Sequence, residues 1–246
     1  MARIAQRGFL IAGVNRDYYS FAVRDKDLKW DGFDIDVVRD IAQAILGDRE
    51  KVQFRPLNVP DRITTAKSGD VDVVVSTITI TCKRRVETEF SAVYFEAAQK
   101  VLVNRGSGIK SLDDLGGKRV CAGRSSTPLE RIQQAPSKPI PVGVSSTTDC
   151  LALLQLGQID AVSTDDALLA GMAAQDPQTE IVGPGLSEEP YGVAINHGTP
   201  DLVRFVNAVL ERRAQDGRWR ASYQRWLEKL LGPPPSPPAP QYRTDP

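Results

Sequence analysis

The sequence predicts an α/β protein built from two similar lobes, and three observations support this. Short apolar runs alternate with segments of helical periodicity, which favours open, mostly parallel sheets. The run "VDVVV" at 71–75 is apolar except for Asp72, as expected of a strand that is buried on both faces. The stretches "SGDVDVVVST" and "LGQIDAVST" share a Gly-x-x-Asp step from helix to strand and a Ser-Thr pair near the strand end.

The first block of elements begins with "FLIAGVN" (9–15), predicted as a strand that ends in polar residues. The next segment, "FDIDVVRDIAQAIL", has apolar residues at helical spacing. The segments "VQFRPL" and "VDVVVSTI" are strand-like. Between them, "DRITTAKSGD" indicates a short helix that ends at Gly69.

A second block repeats this order. "SLDDLGGKRVCAG" predicts a capped turn or short helix and then a strand, and "TTDCLALLQLGQIDAVST" a helix that ends at Gly157 and a strand that ends at Ser163 and Thr164. Two further helices are predicted in "DLVRFVNAVLERRAQ" and "WRASYQRWLEKLL". The tail at 233–246 begins with a proline-rich stretch (233–240), predicted to be a polyproline-like spacer of about 3 Å per residue.

The composition excludes several functions. The chain has 246 residues with 31 basic and 31 acidic side chains, and this balance argues against general binding of nucleic acid or anionic lipid. No apolar run reaches the roughly 18 to 20 residues of a membrane span. The start does not have the pattern of a signal peptide, so an exported protein would have lost its signal.

The three cysteines, Cys82, Cys121 and Cys150, show no CxxC pair and no metal-ligand spacing. They permit at most one intramolecular disulfide. The alternative is that all three are small buried residues.

The order of motifs resembles the bacterial extracellular solute-binding proteins of family 3, which deliver amino acids to ABC transporters. The matching stretches are "WDGFDIDVVRDIAQAI", "SGDVDVVVSTITITCKRRVETEFSAVYF", "SLDDLGGKRV", "LGQIDAVSTDDALLAG" and "EEPYGVAINHGTPDLVRFVNAVLERRAQDGRWRASYQRWL". Within that family, "STDDALLAG", "EIVG" and "EEPYG" are most similar to the glutamate and aspartate binders.

This resemblance implies a periplasmic-binding-protein-like fold of type II, with two α/β lobes joined by two crossing strands. Lobe one would comprise residues 1–98 and 191–232, and lobe two residues 99–190. The crossing strands are expected in "AQKVLVN" (98–104) and "YGVAIN" (191–196). Such a hinge closes over a ligand, and both Ser-Thr strand ends are expected to face the cleft.

The resemblance implies that Arg84 in "TITITCKRR" binds the α-carboxylate of an amino acid, for which a planar guanidinium is suited. Arg85 is expected to be an ordinary surface residue. Thr77 and Thr79 share one face if the stretch is extended, with Ile78 and Ile80 in the core. Their hydroxyls would then contact the ligand, although threonine also simply suits a strand.

The second lobe is expected to supply the other ligand contacts. By resemblance, Asp165 binds the ammonium group, whereas Asp166 is predicted to cap the following helix. Ser125, Ser126 and Thr127 precede a helix with Pro128 near its start, a pattern that indicates an anion site or an ordinary N-cap loop.

The ligand's side chain is expected to contact further cations of lobe one. Arg16 and Arg62 match by position the arginines that acidic-amino-acid binders present to a side-chain carboxylate, while local spacing alone makes Arg62 a helix-surface residue. Asn15, at the end of the first strand, is included in the site. The loop "VNRDYYSF" lacks the proline common there, and Thr147 stands where some of these binders have histidine, so the choice among Glu, Asp, Asn and Gln stays open.

The sequence contains no GxSxG, HExxH, GxGxxG or P-loop pattern, and its one histidine, His197, lies in a turn-like segment. We therefore expect a monomeric binding protein without cofactor or metal. The family resemblance implies the permease and ATPase of an importer as its partners, and it also implies export. The protein would be periplasmic or lipid-anchored at the outer face of the cytoplasmic membrane. The alternatives are a cyclohexadienyl-dehydratase-like enzyme, with Asp17 or Asp165 moving a proton, and an extracellular amino-acid sensor domain.

Overall fold

A computed structural model describes residues 1–240 of the chain. The strands are β1 Leu10–Val14, β2 Asp17–Tyr18, β3 Ala22–Arg24, β4 Trp30–Asp31, β5 Val52–Pro56, β6 Val73–Val74, β7 Glu89–Phe90, β8 Phe95–Asn104, β9 Arg119–Gly123, β10 Ile140–Val144, β11 Ala161–Asp165, β12 Thr179–Val182, β13 Glu188–Tyr191 and β14 Ala194–Ile195. The helices are α1 Ala2–Arg7, α2 Phe33–Leu46, α3 Arg62–Ser68, α4 Cys82–Arg85, α5 Thr127–Gln134, α6 Asp149–Gln155, α7 Asp166–Gln175, α8 Pro200–Gln215, α9 Arg218–Trp226 and α10 Glu228–Leu231. Two short 3-10 helices lie at Val59–Asp61 and Leu112–Leu115.

The chain divides into two compact units. Among the described residues, the first unit contains Met1–Leu57, Asp61–Glu96 and 190–240, and the second contains Asn58–Pro60 and Ala97–Glu189. The chain passes from one unit to the other within β8 and again within β13. The second of these strands ends at Tyr191, so it precedes most of the predicted crossing at 191–196.

The first unit is built on a five-stranded sheet in the order β5-β1-β6-β14-β7. The first three strands are parallel, as predicted, and β14 is antiparallel to both neighbours. Strands β2, β3 and β4 form a separate small sheet. The predicted helix in "FDIDVVRDIAQAIL" is present as α2, and α3 ends at Gly69, whose φ of 76° suits glycine.

An aromatic cluster forms much of the core of the first unit. Phe33 of α2 packs edge-to-face on Phe21, Phe95 and Trp219, while Tyr191 stacks on Phe95. Gly32, directly before α2, has a φ of 136°, and a Cβ there would lie 2.1 Å from the carbonyl oxygen of Phe21. Only glycine therefore allows α2 to begin this close to the preceding loop.

The second unit has a sheet in the order β10-β9-β11-β8-β12, with β13 pairing with β8. Strands β9, β10 and β11 are parallel, and β8 and β12 are antiparallel to their neighbours. Each face of the sheet is covered by its own apolar cluster, one containing Val101 and Val103 and the other containing Leu102. Alternate residues of β8 therefore enter different cores.

A disulfide joins Cys121 of β9 to Cys150 of α6. Cys82 is exposed in the first unit. The alternative in which all three cysteines are buried thiols is therefore wrong, because two are bonded to each other and the third faces solvent.

Part of the proline-rich tail lies at the surface of the first unit. Pro237, Pro238 and Pro240 line a small cavity together with residues of the 92–94 segment and of α8 and α9. These three prolines are therefore placed on the surface of the first unit, and the polyproline-like spacer at 233–240 stays a prediction. The predicted tail continues to residue 246, beyond the described residues. Within 1–240, no helix is both long enough and apolar enough to cross a membrane.

Candidate functional site

Polar segments leave the same edge of the first unit's sheet after β1 and β6. These strands are parallel, with Gly13 opposite Val74, so Asn15 and Ser76 follow at one edge. The buried Asn15 accepts hydrogen bonds at Oδ1 from the backbone N–H groups of Asp17 (2.8 Å) and Tyr18 (3.1 Å). Asn15 therefore shapes its own loop, while the neighbouring Arg16 is exposed.

The segment Ser76–Thr79 is not an extended strand. Strand β6 ends at Val74, Thr77 has a φ of 45°, and Thr79 forms an isolated bridge with Tyr191. The prediction that Thr77 and Thr79 share the face of one strand is therefore wrong, because the chain turns at Thr77. Ile78 is fully buried in the core, as predicted.

Two buried arginines hold this segment by its carbonyl oxygens. Arg62 of α3 donates from Nη1 to the carbonyls of Ser76 (2.8 Å) and Thr77 (3.3 Å). Arg84 of α4 donates from Nη1 to the carbonyl of Thr79 (2.8 Å). Their exposures are 5% and 8%, so the local interpretation of Arg62 as a helix-surface residue is wrong. Two guanidinium groups at one short segment favour a carboxylate ligand.

Local capping fixes the position of Arg84. The side chain of Thr81 accepts a hydrogen bond from the backbone N–H of Arg84 at 3.1 Å, which starts the four-residue helix α4. Thr81 is thus an N-cap, a preferred role for threonine. The sequence "TITITCKRR" therefore combines a turn, a cap and a short helix.

A second set of polar segments follows one edge of the second unit's sheet. Gly123 lies opposite Val144, and Cys121 lies opposite Val162, in parallel pairs. The carboxyl ends of these three parallel strands therefore meet at a common edge. This edge carries the segment 124–127 after β9, the segment 145–148 after β10, and Asp165 at the end of β11. A Cβ at Gly123 would lie 2.7 Å from Thr147 Oγ1, so a glycine lets these two segments approach closely.

The loop before α5 is an N-cap, as one of its two interpretations predicts. Ser126 Oγ accepts from the backbone N–H of Leu129 at 3.2 Å, and Pro128 lies in the first turn. Thr127 Oγ1 donates to Glu189 Oε2 at 2.6 Å, and Ser125 is exposed with a φ of 59°. The sequence analysis did not single out the buried Glu189, whose Oε1 also accepts from Ser187 Oγ at 2.6 Å.

Asp165 is the last residue of β11, is buried, and occupies the N-cap position of α7 without a side-chain capping bond. Asp166, predicted as the cap, is instead the first residue of the helix. Its Oδ1 accepts from the backbone N–H groups of Ala98 (3.2 Å) and Ala167 (2.8 Å). A carboxylate at the Asp165 position is suited to an ammonium ligand.

Asp34 is a further buried group that the sequence analysis did not single out. Its Oδ2 accepts from the backbone N–H of Thr77 at 3.0 Å, and its Oδ1 accepts from the Tyr94 hydroxyl at 2.8 Å. Burial raises the pKa of Asp34 to about 7, and burial likewise raises the pKa of Tyr94. In the sequence, Asp34 is marked only as one of two acidic residues in the first turn of α2. Acidic residues there favour the start of a helix, so this pattern does not indicate a functional role.

The structure thus groups the predicted residues by unit. Arg62, Thr77, Thr79 and Arg84 form one hydrogen-bonded set in the first unit. Ser126, Thr127 and Asp165 lie at one strand edge of the second unit.

Comparison with known proteins gives a consistent result. Residues 10–229 match the family described as bacterial extracellular solute-binding proteins, family 3. The ABC transporter glutamine-binding protein GlnH of Bacillus subtilis (strain 168) is 36% identical over 231 residues, which cover 93% of this chain and 85% of that protein. The glutamate/glutamine/aspartate/asparagine-binding protein BztA of Rhodobacter capsulatus is 32% identical over 242 residues, 94% of this chain and 72% of that protein.

Among solved structures, the ancestral amino acid-binding protein AncCDT-1, a precursor of cyclohexadienyl dehydratase, matches with a TM-score of 0.84 and 30% sequence identity. The match covers 92% of this chain and 98% of that chain. The predicted fold class, two α/β units joined by two crossing strands, is confirmed.

Proposed function

Because the chain belongs to the bacterial extracellular solute-binding proteins of family 3, we propose that it captures a polar amino acid for an ABC importer, with glutamine as the first candidate ligand. The observation that carries this proposal is the pair of buried guanidinium groups held on Ser76–Thr79. This arrangement suits the carboxylate that every free amino acid carries.

Each remaining group of the ligand has a candidate partner. Arg84, with Thr77 and Thr79, would bind the α-carboxylate, and Asp165 would bind the α-ammonium. The amides and hydroxyls of 125–127 would add hydrogen bonds to the ligand. Four or five charge-assisted bonds of roughly 1.5 to 3 kcal/mol each, less the cost of immobilising the ligand, suffice for the roughly 8 kcal/mol of micromolar binding.

Two findings favour glutamine over the acidic amino acids. Arg62, expected to neutralise a side-chain carboxylate, has Nη1 bonded to two backbone carbonyls. The relative GlnH is described as a glutamine binder, and BztA as a binder of glutamine among four related amino acids. A carboxamide needs no dedicated cation, because it both donates and accepts hydrogen bonds. Arg16 and Asn15 would then complete the side-chain contacts.

Delivery would follow the binding-protein mechanism of the family. The strand crossings in β8 and β13 are the candidate hinges, and ligand contacts absent from the open form would stabilise closure. The loaded protein would then meet the permease and ATPase of an importer. A disulfide fits a location outside the cytoplasmic membrane, where thiols are oxidised.

The test is isothermal titration calorimetry of the unmodified protein against a panel of the common L-amino acids. We expect binding of glutamine at micromolar or tighter Kd, weaker binding of glutamate, and little binding of apolar amino acids. A panel without any binder would refute the proposal, and a preference for glutamate would refute the assignment of glutamine alone.

The alternative of a dehydratase is supported by the structural likeness to a dehydratase precursor. Incubation with glutamine, and separately with a prephenate-like substrate, followed by mass spectrometry, separates the two functions. We expect both compounds to be recovered unchanged. Turnover of the prephenate-like compound would favour the enzyme.

A further inference from the structure

The turn at Thr77 is an unfavourable conformation for its residue type. Thr77 has a φ of 45°, in the left-handed region that β-branched residues rarely adopt. Glycine would fill this position without strain. Contacts from the rest of the first unit must therefore maintain the turn.

Asp34 supplies one of these contacts from the core. Its side chain is fully buried, its Oδ2 accepts the Thr77 N–H at 3.0 Å, and the Tyr94 hydroxyl fixes its Oδ1 at 2.8 Å. On the other side of the same peptide segment, Arg62 donates to the carbonyls of Ser76 and Thr77. The turn is thus held at its N–H by a carboxylate and at its carbonyls by a guanidinium.

We propose that Asp34 is a positioning residue for ligand binding, whose carboxylate fixes the turn at Thr77 and thereby the segment Ser76–Thr79 on which Arg62 and Arg84 are held. This inference rests on the proposed function, since the segment is the candidate carboxylate site of the first unit. Asp34 acts through Thr77 and makes no ligand contact of its own.

The charge of Asp34 matters to this role. A carboxylate accepts an N–H bond roughly twice as strong as a neutral acceptor does. The groups that act on Asp34 are Tyr94, which donates to it, and the cations Arg62 and Arg213, all three of which favour its ionised form. Burial opposes them and raises the pKa of Asp34 to about 7, so both forms are populated near neutral pH.

The experiment measures the Kd of glutamine by calorimetry from about pH 5.5 to about pH 8.5, with each Kd referred to the concentration of glutamine whose α-ammonium is protonated, since that group begins to lose its proton in the upper part of this range. For the unmodified protein we expect the affinity to fall several-fold as the pH is lowered through about 7. Asp34→Asn mimics the protonated side chain. It should bind several-fold more weakly than the unmodified protein at about pH 8.5, equal it at about pH 5.5, and show a flat profile.

Tyr94→Phe also tests whether the ionisation of Asp34 controls the affinity, because the Tyr94 hydroxyl donates to Asp34 Oδ1. The Tyr94 hydroxyl lowers the pKa of Asp34 by hydrogen bonding, so its removal should move the inflection in the affinity to higher pH. A residue with a merely structural role would not shift this profile.

Asp36→Asn is the matched control. Asp36 is also buried in the first turn of α2, but its Oδ2 accepts from Ser222 and Trp226 of α9. We expect this variant to be less stable in thermal unfolding and to keep the glutamine affinity and pH profile of the unmodified protein.

Two outcomes separate this inference from the proposed function. If the unmodified protein binds no amino acid of the panel, the proposed function fails. If it binds and Asp34→Asn retains the same affinity and inflection, or if binding strengthens as the pH falls, the role of Asp34 is wrong and the proposed function stands.

Discussion

Arg62 and Arg84 come from different helices, yet both donate to carbonyls of one four-residue segment. The bonds fix the orientation of each guanidinium group. Preorganised donors lose less conformational entropy on binding than flexible surface arginines do. At the scale of single residues, the bond from its guanidinium group to the Thr79 carbonyl distinguishes Arg84 from its neighbour Arg85.

Substitution of Arg84 tests its proposed role directly. Arg84→Ala should weaken amino-acid binding by about 100-fold or more, because it removes a charge-assisted contact to the carboxylate. Arg85→Ala, one residue away, should bind within about twofold of the unmodified protein. Calorimetry measures both, and near-native affinity of Arg84→Ala would remove Arg84 from the site.

The contacts of Arg62 change the effect expected of its substitution from selective loss of glutamate binding to similar loss for both ligands. Since Nη1 supports the carbonyls of Ser76 and Thr77, Arg62→Ala should weaken glutamine and glutamate by similar factors, about tenfold each. Arg85→Ala, at a position outside the candidate site, offers a matched arginine control and should bind both ligands like the unmodified protein. A selective loss of glutamate binding in Arg62→Ala would instead mean that Arg62 binds the side-chain charge of the ligand.

The family pattern in the sequence was sufficient to predict Arg84 and Asp165 as site candidates, and the helix pattern predicted the Ser126 cap. The burial of Arg62 was not predictable from local spacing, because its partners Ser76 and Thr77 belong to another segment. Alternation of Thr and Ile predicted an extended strand, and only the tertiary contacts of Asp34 and Arg62 reveal the turn at Thr77.

At the scale of elements, the long apolar helices and the parallel strands followed from periodicity, while short elements did not. Strand β6 covers only Val73 and Val74 of the predicted "VDVVVSTI", since the chain leaves the sheet to form the turn. The position of the tail against Trp219 depends on the folded surface of α8 and α9, which composition alone does not show.

The tail should stabilise the first unit. Truncation after Gly232 should lower the free energy of unfolding by roughly 1 to 2 kcal/mol, because it exposes apolar surface of the cavity that Trp219 lines. Chemical denaturation with tryptophan fluorescence measures the change.

Single substitutions provide the control for the tail. Pro238→Ala should reproduce part of the loss, whereas Pro235→Ala, at an exposed position, should be close to neutral. Equal stability of the full-length and truncated proteins would contradict the expected role of the tail.

The disulfide between β9 and α6 anchors the strand that leads into the loop at 124–127. Paired Cys121→Ser and Cys150→Ser substitutions should cost roughly 3 to 4 kcal/mol of unfolding free energy, the loop-closure expectation for a sequence separation of 29 residues. Cys82→Ser is the control and should leave stability unchanged. Calorimetric unfolding of the double and single variants makes the comparison, and an unchanged double variant would show that the bond adds little.

At the scale of the whole molecule, the repeated Gly-x-x-Asp step predicted two similar units, and the structure has two, each with a sheet and its own core. The insertion of Asn58–Pro60 into the second unit was not predictable, because no change in composition marks these three residues.

The buried Asp34 makes global stability depend on pH. Its pKa rises from 3.8 to about 7 on folding, so the unfolded chain gives up this proton first as the pH rises. The contribution of protonated Asp34 to the free energy of unfolding is therefore fully present below about pH 4, and it is lost progressively as the pH rises to about 7. The free energy of unfolding of the unmodified protein, relative to Asp34→Asn, should therefore fall by a few kcal/mol across this window in denaturant titrations. A constant difference would contradict the raised pKa.

The pairing of Cys121 with Cys150 leaves Cys82 as the chain's one remaining thiol, exposed on α4 two positions before Arg84. A thiol-reactive fluorophore should therefore attach at a single position without mutagenesis, provided that no reductant is added. A dye at Cys82 would lie in the same four-residue helix as Arg84, where a change in the surroundings of the guanidinium alters its emission. If Arg84 binds the ligand as proposed, the sequence thus already contains the attachment point of an optical amino-acid sensor.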